Sequence, residues 1–341
     1  MRNFAKPLAA PPRHSSFIMI SKFSSLCAGF MTLALTSTLA LAQNTNPQGT
    51  LQQVNGPISP AQNLSPVAAV ANQNSDLAGL SVVNKYPVPS TLTFSNVNNL
   101  FWTDNAFLTN NAKVGSFGYN GQLMATYVPY STRDWTPSLS FQQQFIRYDH
   151  TSVLDFDAQT VSLASRYDLV SDKTWSWLAS YSLQRLYTDR AYLGEYYKES
   201  NLTNEIDYTH SIFGQSNLYF LGAYDITWRL TDPNQYCRVD NSFTFSVVYL
   251  PLPQVSLQAY ARPAIYAYTD NEELNPTTGD TYGRSRTDYN VSLGLLTTYS
   301  PIKQVSLSAN FNWIGNYSNV GDREYQTITP AVTVSGTIGF W

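Results

Sequence analysis

The sequence predicts an all-β fold, an antiparallel transmembrane β-barrel of about twelve strands, and three observations predict it. Apolar and polar residues alternate with period two over unusually long runs, such as 217–230, 237–249 and 303–317. Charged residues are 13% of the chain, whereas Tyr, Phe and Trp number 24, 17 and 7. Beyond residue 42, no segment approaches the roughly 18 consecutive apolar residues that mark a membrane helix.

The alternation carries most of the weight. In 303–317, Val305, Leu307, Ala309, Phe311, Trp313 and Tyr317 hold odd positions, with Ser306, Ser308, Asn310 and Asn312 between them. Successive side chains of a strand point to opposite faces, so one face is apolar and the other carries hydroxyls and amides. Residues 217–230 repeat the pattern with Leu218, Phe220, Tyr224, Ile226, Trp228 and Leu230. Residues 237–249 and 289–299 do so again, with Val239, Phe243, Phe245, Val247 and Tyr249, then Tyr289, Val291, Leu293, Leu295 and Tyr299. A soluble strand usually runs about five or six residues, and a tilted strand needs about 9–11 to cross hydrocarbon. These runs suit a bilayer better than a water-borne sandwich.

Twelve such runs are centred near residues 104, 123, 142, 161, 181, 206, 223, 243, 261, 291, 310 and 334. Short turns near 129–134, 170–173, 214–216, 250–254 and 300–303 alternate with more polar connections at 109–116, 188–200, 231–236, 270–284 and 316–325. The connection at 149–154 is short where a long one is expected. Tyr249-Leu250-Pro251 and Tyr299-Ser300-Pro301, followed by Gln254-Val255-Ser256-Leu257 and Gln304-Val305-Ser306-Leu307, form an internal repeat. Both put proline just after a strand-ending tyrosine, where no ladder donor is needed.

The low charge content has the same explanation. A globular surface carries about 25% charged residues; here Ser, Thr, Asn, Gln and Tyr replace much of that charge, as suits lipid outside and a polar lumen inside.

Residues 1–42 read as a signal peptide. They hold Arg2, Lys6, Arg13 and Lys22, no Asp or Glu, an apolar stretch from Leu26 to Leu41, and a small-residue ending at Ala40-Leu41-Ala42. The translation start is Met1 or Met19. Removing this segment shifts the formal charge from −3 to about −7, because four basic residues leave and no acid does. That sign gives no support to nucleic-acid binding, which needs a clustered basic face. Cys237 is then the only cysteine, so no internal disulfide forms. Residues 43–90, rich in Gln, Asn, Pro, Ala and Ser, read as a disordered periplasmic linker, with insertion into the barrel as a plug the alternative. Residues 91–341 are the expected barrel.

The chain ends Val332-Thr333-Val334-Ser335-Gly336-Thr337-Ile338-Gly339-Phe340-Trp341. An amphipathic final strand closing on an aromatic residue resembles the insertion signal of bacterial outer-membrane β-barrels, with Val334, Ile338, Phe340 and Trp341 as its candidate residues. Phe340 is in register with the apolar set and Trp341 is an extra. The resemblance covers roughly residues 91–341 and is to the broad class of Gram-negative barrels. It implies an outer-membrane location, contact with lipid and lipopolysaccharide, and recognition by periplasmic chaperones and barrel-insertion machinery.

Charges within strands fall on the polar face. Glu205, Asp207, Asp225, Arg229, Arg238, Asp240 and Arg262 are therefore expected to point into the lumen, since Arg or Lys facing lipid at mid-depth costs about 2–4 kcal/mol. Two outcomes stay open. The charges either pair across strands and fill a narrow interior, or line a small aqueous pore and bias its selectivity. The first makes a closed structural or adhesion barrel; the second makes a small passive channel or porin-like route for polar solutes. A twelve-stranded interior has room for either.

A barrel-borne hydrolase is the third possibility. It would need a Ser–His pair with an orienting group, and the only histidines beyond residue 42 are His150 and His210. His150 lies beside Asp149 and near Ser152. No Cys/His spacing suggests a metal site, and no glycine-rich phosphate loop suggests a cofactor. Asp270, Glu272, Glu273 and Asp280 form either a solvated acidic loop or a divalent-ion loop. No enzyme activity and no cofactor are expected.

Overall fold

Period-two segments fold, in the computed structural model, into twelve strands. They are β1 (Thr91–Thr103), β2 (Ser116–Val128), β3 (Trp135–Tyr148), β4 (Phe156–Asp168), β5 (Trp175–Tyr187), β6 (Glu195–Ser211), β7 (Leu218–Asp232), β8 (Arg238–Leu252), β9 (Val255–Tyr268), β10 (Thr287–Ile302), β11 (Val305–Ser318) and β12 (Tyr325–Phe340). The structure describes residues 91–340 except 111–112, 133, 171–173, 189–193, 215–216, 270–284, 303 and 321–322. The expected signal peptide, the expected linker 43–90, the acidic loop residues Asp270 to Asp280 and Trp341 lie outside the described residues.

Each strand pairs antiparallel with its neighbours in sequence, and β1 pairs with β12 to close the barrel. Closure leaves no unpaired strand edge, the condition for a sheet in hydrocarbon. At the seam Phe94 meets Phe340 edge-to-face, with ring centroids 6.1 Å apart. Both Thr91 and Phe340 stand at one end, here the terminal end, to which the β8–β9 and β10–β11 hairpins also run. The ends of β1 and β9 and the starts of β2 and β10 lie at the opposite, loop end. The internal repeat is a structural one. Its two hairpins shift register at equivalent places, between Tyr249 and Leu252 and between Tyr299 and Ile302.

The apolar positions of the alternation face outward. Leu163, Leu230, Leu295 and Ile338 are 59%, 68%, 60% and 59% exposed. A water-soluble fold would bury such residues; twelve strands presenting them on one continuous outer face make a lipid-facing surface.

The first strand differs from expectation. It runs 91–103 rather than around residue 104, because Asp104 and Asn105 terminate it. Asp104 Oδ1 accepts from the Ile328 amide at 2.7 Å, and Asn105 Nδ2 donates to the Thr109 carbonyl at 2.8 Å. Its outward set is Leu92, Phe94, Asn96, Asn98, Leu100 and Trp102, where two asparagines interrupt the apolar series.

Inside, the two halves are unlike. At the loop end Phe101, Ile146, Tyr148, Phe156, Leu186 and Tyr197 meet in one buried cluster. Phe101 reaches it by lying over Gly118, where a Cβ would stand 2.2 Å from the ring. The short connection 149–155 joins the same cluster, because its single helical turn Ser152–Leu154 carries buried Leu154 into it. Toward the terminal end, inward residues such as Thr93, Ser95, Ser140, Gln142, Ser308 and Ser335 are half-buried and hydroxyl- or amide-bearing.

Candidate functional site: the charged wall of the lumen

The seven charged residues expected inside all sit on the inward positions of β6 to β9. Glu205 and Asp207 share the odd parity of β6, Asp225 and Arg229 that of β7, and Arg238 and Asp240 the even parity of β8, with Arg262 on β9. Six are at most 8% exposed, and the Arg229 side chain is 23% exposed. Register then brings them together: Glu205 stands opposite Asp225, and Arg229 opposite Arg238.

At the loop end of this wall, Arg229 bridges two acids. Its Nη1 donates to Glu199 Oε1 and its Nε to Asp240 Oδ2, each at 2.5 Å. Arg238 Nη2 donates to the same Asp240 oxygen at 3.2 Å, and its Nη1 to the Tyr268 hydroxyl at 2.8 Å. Its guanidinium lies 4.1 Å over the Tyr266 ring, and that of Arg286 lies 4.2 Å over Tyr268. Arg286 in turn donates to Asp288 at 2.8 Å, and Asn316 donates to the same carboxylate at 3.1 Å. Aromatic faces and carboxylates thus compensate cations removed from water.

Lower on the wall, the Ser242 hydroxyl donates to Asp225 and accepts from Arg262 Nε at 3.0 Å. Arg262 approaches Asp225 to 3.5 Å. Nearest the terminal end, Arg166 of β4 lies 3.6 Å from Asp168 and 3.7 Å from Asp207, and donates to Ser176 at 2.6 Å. A line of paired charge climbs the wall from Asp168 to Asp288.

Sequence reasoning missed five charged members of this line. Glu199 has the same parity as Glu205, and Arg166 and Asp168 share the hydroxyl face of β4. Extending the parity rule along each strand would have found all three. Asp288, the second residue of β10, shares the parity of Asn290 and Ser292 and could have been found the same way, whereas Arg286 precedes the strand and has no alternation to place it.

On this wall five guanidiniums (Arg166, Arg229, Arg238, Arg262, Arg286) stand with seven carboxylates (Asp168, Glu199, Glu205, Asp207, Asp225, Asp240, Asp288), a formal excess of two negative charges. The facing wall is neutral. Ser306 and Ser335 share a hydrogen bond of 2.6 Å, Thr298 and Ser308 one of 3.0 Å, and all four are half-buried.

The hydrolase constellation does not assemble. The His150 side chain is 76% exposed, and its Nε2 lies 3.5 Å from Asp149 Oδ2. Asp149 accepts from the Ser116 hydroxyl at 2.8 Å, and that hydrogen bond holds its carboxyl below the usual carboxylate range. The order is serine to aspartate to histidine, so no base is positioned on a serine oxygen. Ser152 makes no hydrogen bond to His150 among the described residues. His210 stacks on Tyr208 at the opposite end. Among the described residues no three His, Cys, Asp or Glu side chains form a metal cluster.

Val334, Ile338 and Phe340 of the candidate insertion signal lie on the outward face of β12, 48%, 59% and 55% exposed.

No family model matches this chain, and no curated protein matches it. Solved structures do. The chain is similar to an outer membrane channel from Pseudomonas putida F1, with a TM-score of 0.51 and 12% identity over 75% of this chain and 99% of that one. Weaker likenesses are to LpxR from Salmonella typhimurium (TM-score 0.40, 12% identity, 71% of this chain and 99% of that one) and to the NanC porin (0.40, 9%, 72% and 98%). At these identities the likeness establishes the fold: this is a β-barrel of the bacterial outer-membrane type.

Proposed function

We propose that the barrel is a porin-like, passive route for small polar solutes across the outer membrane, with a preference for cations. The observation that carries this reading is the pairing of unlike walls: a line of charge with two excess carboxylates faces a neutral wall of hydroxyls and amides. A solute stripped of some water finds hydrogen-bonding partners on one side and a negative bias on the other. The buried apolar cluster at the loop end takes up part of the lumen there, so a small conductance is expected.

The lipid-facing exterior supports an outer-membrane location, reached by export through residues 1–42. The loop end faces outside in this reading. There Arg185 and Lys198, 60% and 50% exposed beside Glu195, stand where lipopolysaccharide phosphates pack. The outward β12 residues suit recognition by the insertion machinery, and a greasy precursor needs periplasmic chaperones.

Purified protein in planar bilayers tests the function. Small discrete conductance steps are expected, and under a KCl gradient the reversal potential takes the sign for cation preference. Silence at all voltages would instead make this a closed structural or adhesion barrel.

A further inference from the structure

Lipid-facing strands are expected to be apolar through the middle of the bilayer, and β1 is not. Asn96 and Asn98 both point outward, Asn96 exposed and Asn98 half-buried, with Phe94 below and Leu100 above on the same face. Their depth follows from register. Asn96 stands opposite Leu123 and Asn98 opposite Gly121, between the outward Phe117 and Tyr127 of β2. Aromatic residues favour the two membrane interfaces, so the pair sits midway between them.

The amides are only partly satisfied. The Tyr119 hydroxyl donates to Asn98 Oδ1 at 2.8 Å, and Asn98 Nδ2 donates to Asn96 Oδ1 at 2.9 Å. Among the described residues, no hydrogen bond uses the two amide protons of Asn96 or the second one of Asn98. Hydrocarbon offers them no acceptor, and polar groups left unpaired there are costly. Asn204 on β6 and Asn241 on β8 are outward amides too, on either side of Ile226, but each stands singly on its strand. Asn204 lies between Leu202 and Ile206, and Asn241 between Val239 and Phe243, where it accepts from the Tyr224 hydroxyl at 3.1 Å.

The surface beside the pair is also low. Asn96 has Gly336 as its β12 neighbour, and a Cβ there would meet nothing closer than 3.9 Å. On the other side, Asn98 has Gly121 as its β2 neighbour, and the Tyr119 ring that donates to Asn98 lies over that glycine. A second wall can therefore approach closely on the Gly336 side, and in membranes small residues with amide hydrogen bonds hold such contacts together.

We infer that the outer face around Asn96 and Asn98 is the interface for a second copy of this chain. Copies inserted the same way carry this patch at the same depth. A two-fold axis along the membrane normal brings β1 against β1, and each amide is donor and acceptor at once, so the patch complements itself. The contact does not depend on whether the lumen conducts.

Two measurements on the full chain test it. In a Cys237→Ser background, Asn96→Cys should form an oxidative dimer in membranes, whereas Ile226→Cys, outward on the far strand β7, should not. In detergent, the wild type should sediment as two barrels. The Asn96→Leu/Asn98→Leu double variant should show half that protein mass while keeping the mobility of a folded barrel on unboiled gels. A single-copy wild type without the Asn96→Cys cross-link, a dimer that survives the double variant, or cross-linking at Ile226→Cys instead would overturn the inference.

Discussion

The loop half and the terminal half of the lumen are built from the same alternating strands and do different things. In the loop half, Phe101, Ile146, Tyr148 and Phe156 pack as in a protein core, and Arg238 and Arg286 are sandwiched among tyrosines and carboxylates. In the terminal half, residues such as Gln142, Ser306, Ser308 and Ser335 remain half-buried on the neutral wall. Polarity alternation sets which side of the sheet faces lipid. Side-chain size and charge pairing set whether the inside is filled.

The sharpest way to break this contrast is Asp240→Ala. Asp240 is 1% exposed and receives Arg229 and Arg238. Removing one member of a buried ionic cluster costs about 3–5 kcal/mol, read from equilibrium urea unfolding in lipid vesicles. A loss under about 1 kcal/mol would mean water reaches those guanidiniums. Next comes Ile146→Ala at a wholly buried site, expected to cost about 2–5 kcal/mol in the same titration. A more selective probe is the Asp168→Asn/Asp207→Asn pair, which cancels the two-charge excess near the terminal end. The zero-current potential should move toward anions, and an unchanged potential would separate those carboxylates from the ion path. Smallest is Ser308→Ala on the neutral wall, whose unfolding free energy should stay within about 0.5 kcal/mol of the wild type.

Much of the fold was legible in the residues. Strand faces such as Val305, Leu307, Phe311 against Ser306, Ser308, Asn310 need only the period of two, and the structure follows it. The first strand was not legible, since Asn96 and Asn98 break its apolar series and Phe101 turns inward over Gly118. The charged wall was half legible. Parity places Glu205, Asp225 and Arg238 inside, but their partners depend on cross-strand register, which no single strand encodes. The stacking of Arg238 on Tyr266 and the inward turn at Leu154 belong to that second kind of information.

Electrophoretic mobility with and without boiling tests most directly whether the polypeptide is a closed membrane-spanning barrel. Protein refolded into lipid should run faster before boiling than after, because a closed sheet resists detergent and stays compact. A single unchanged mobility, together with full solubility in detergent-free buffer, would contradict the barrel and everything built on its inside and outside faces.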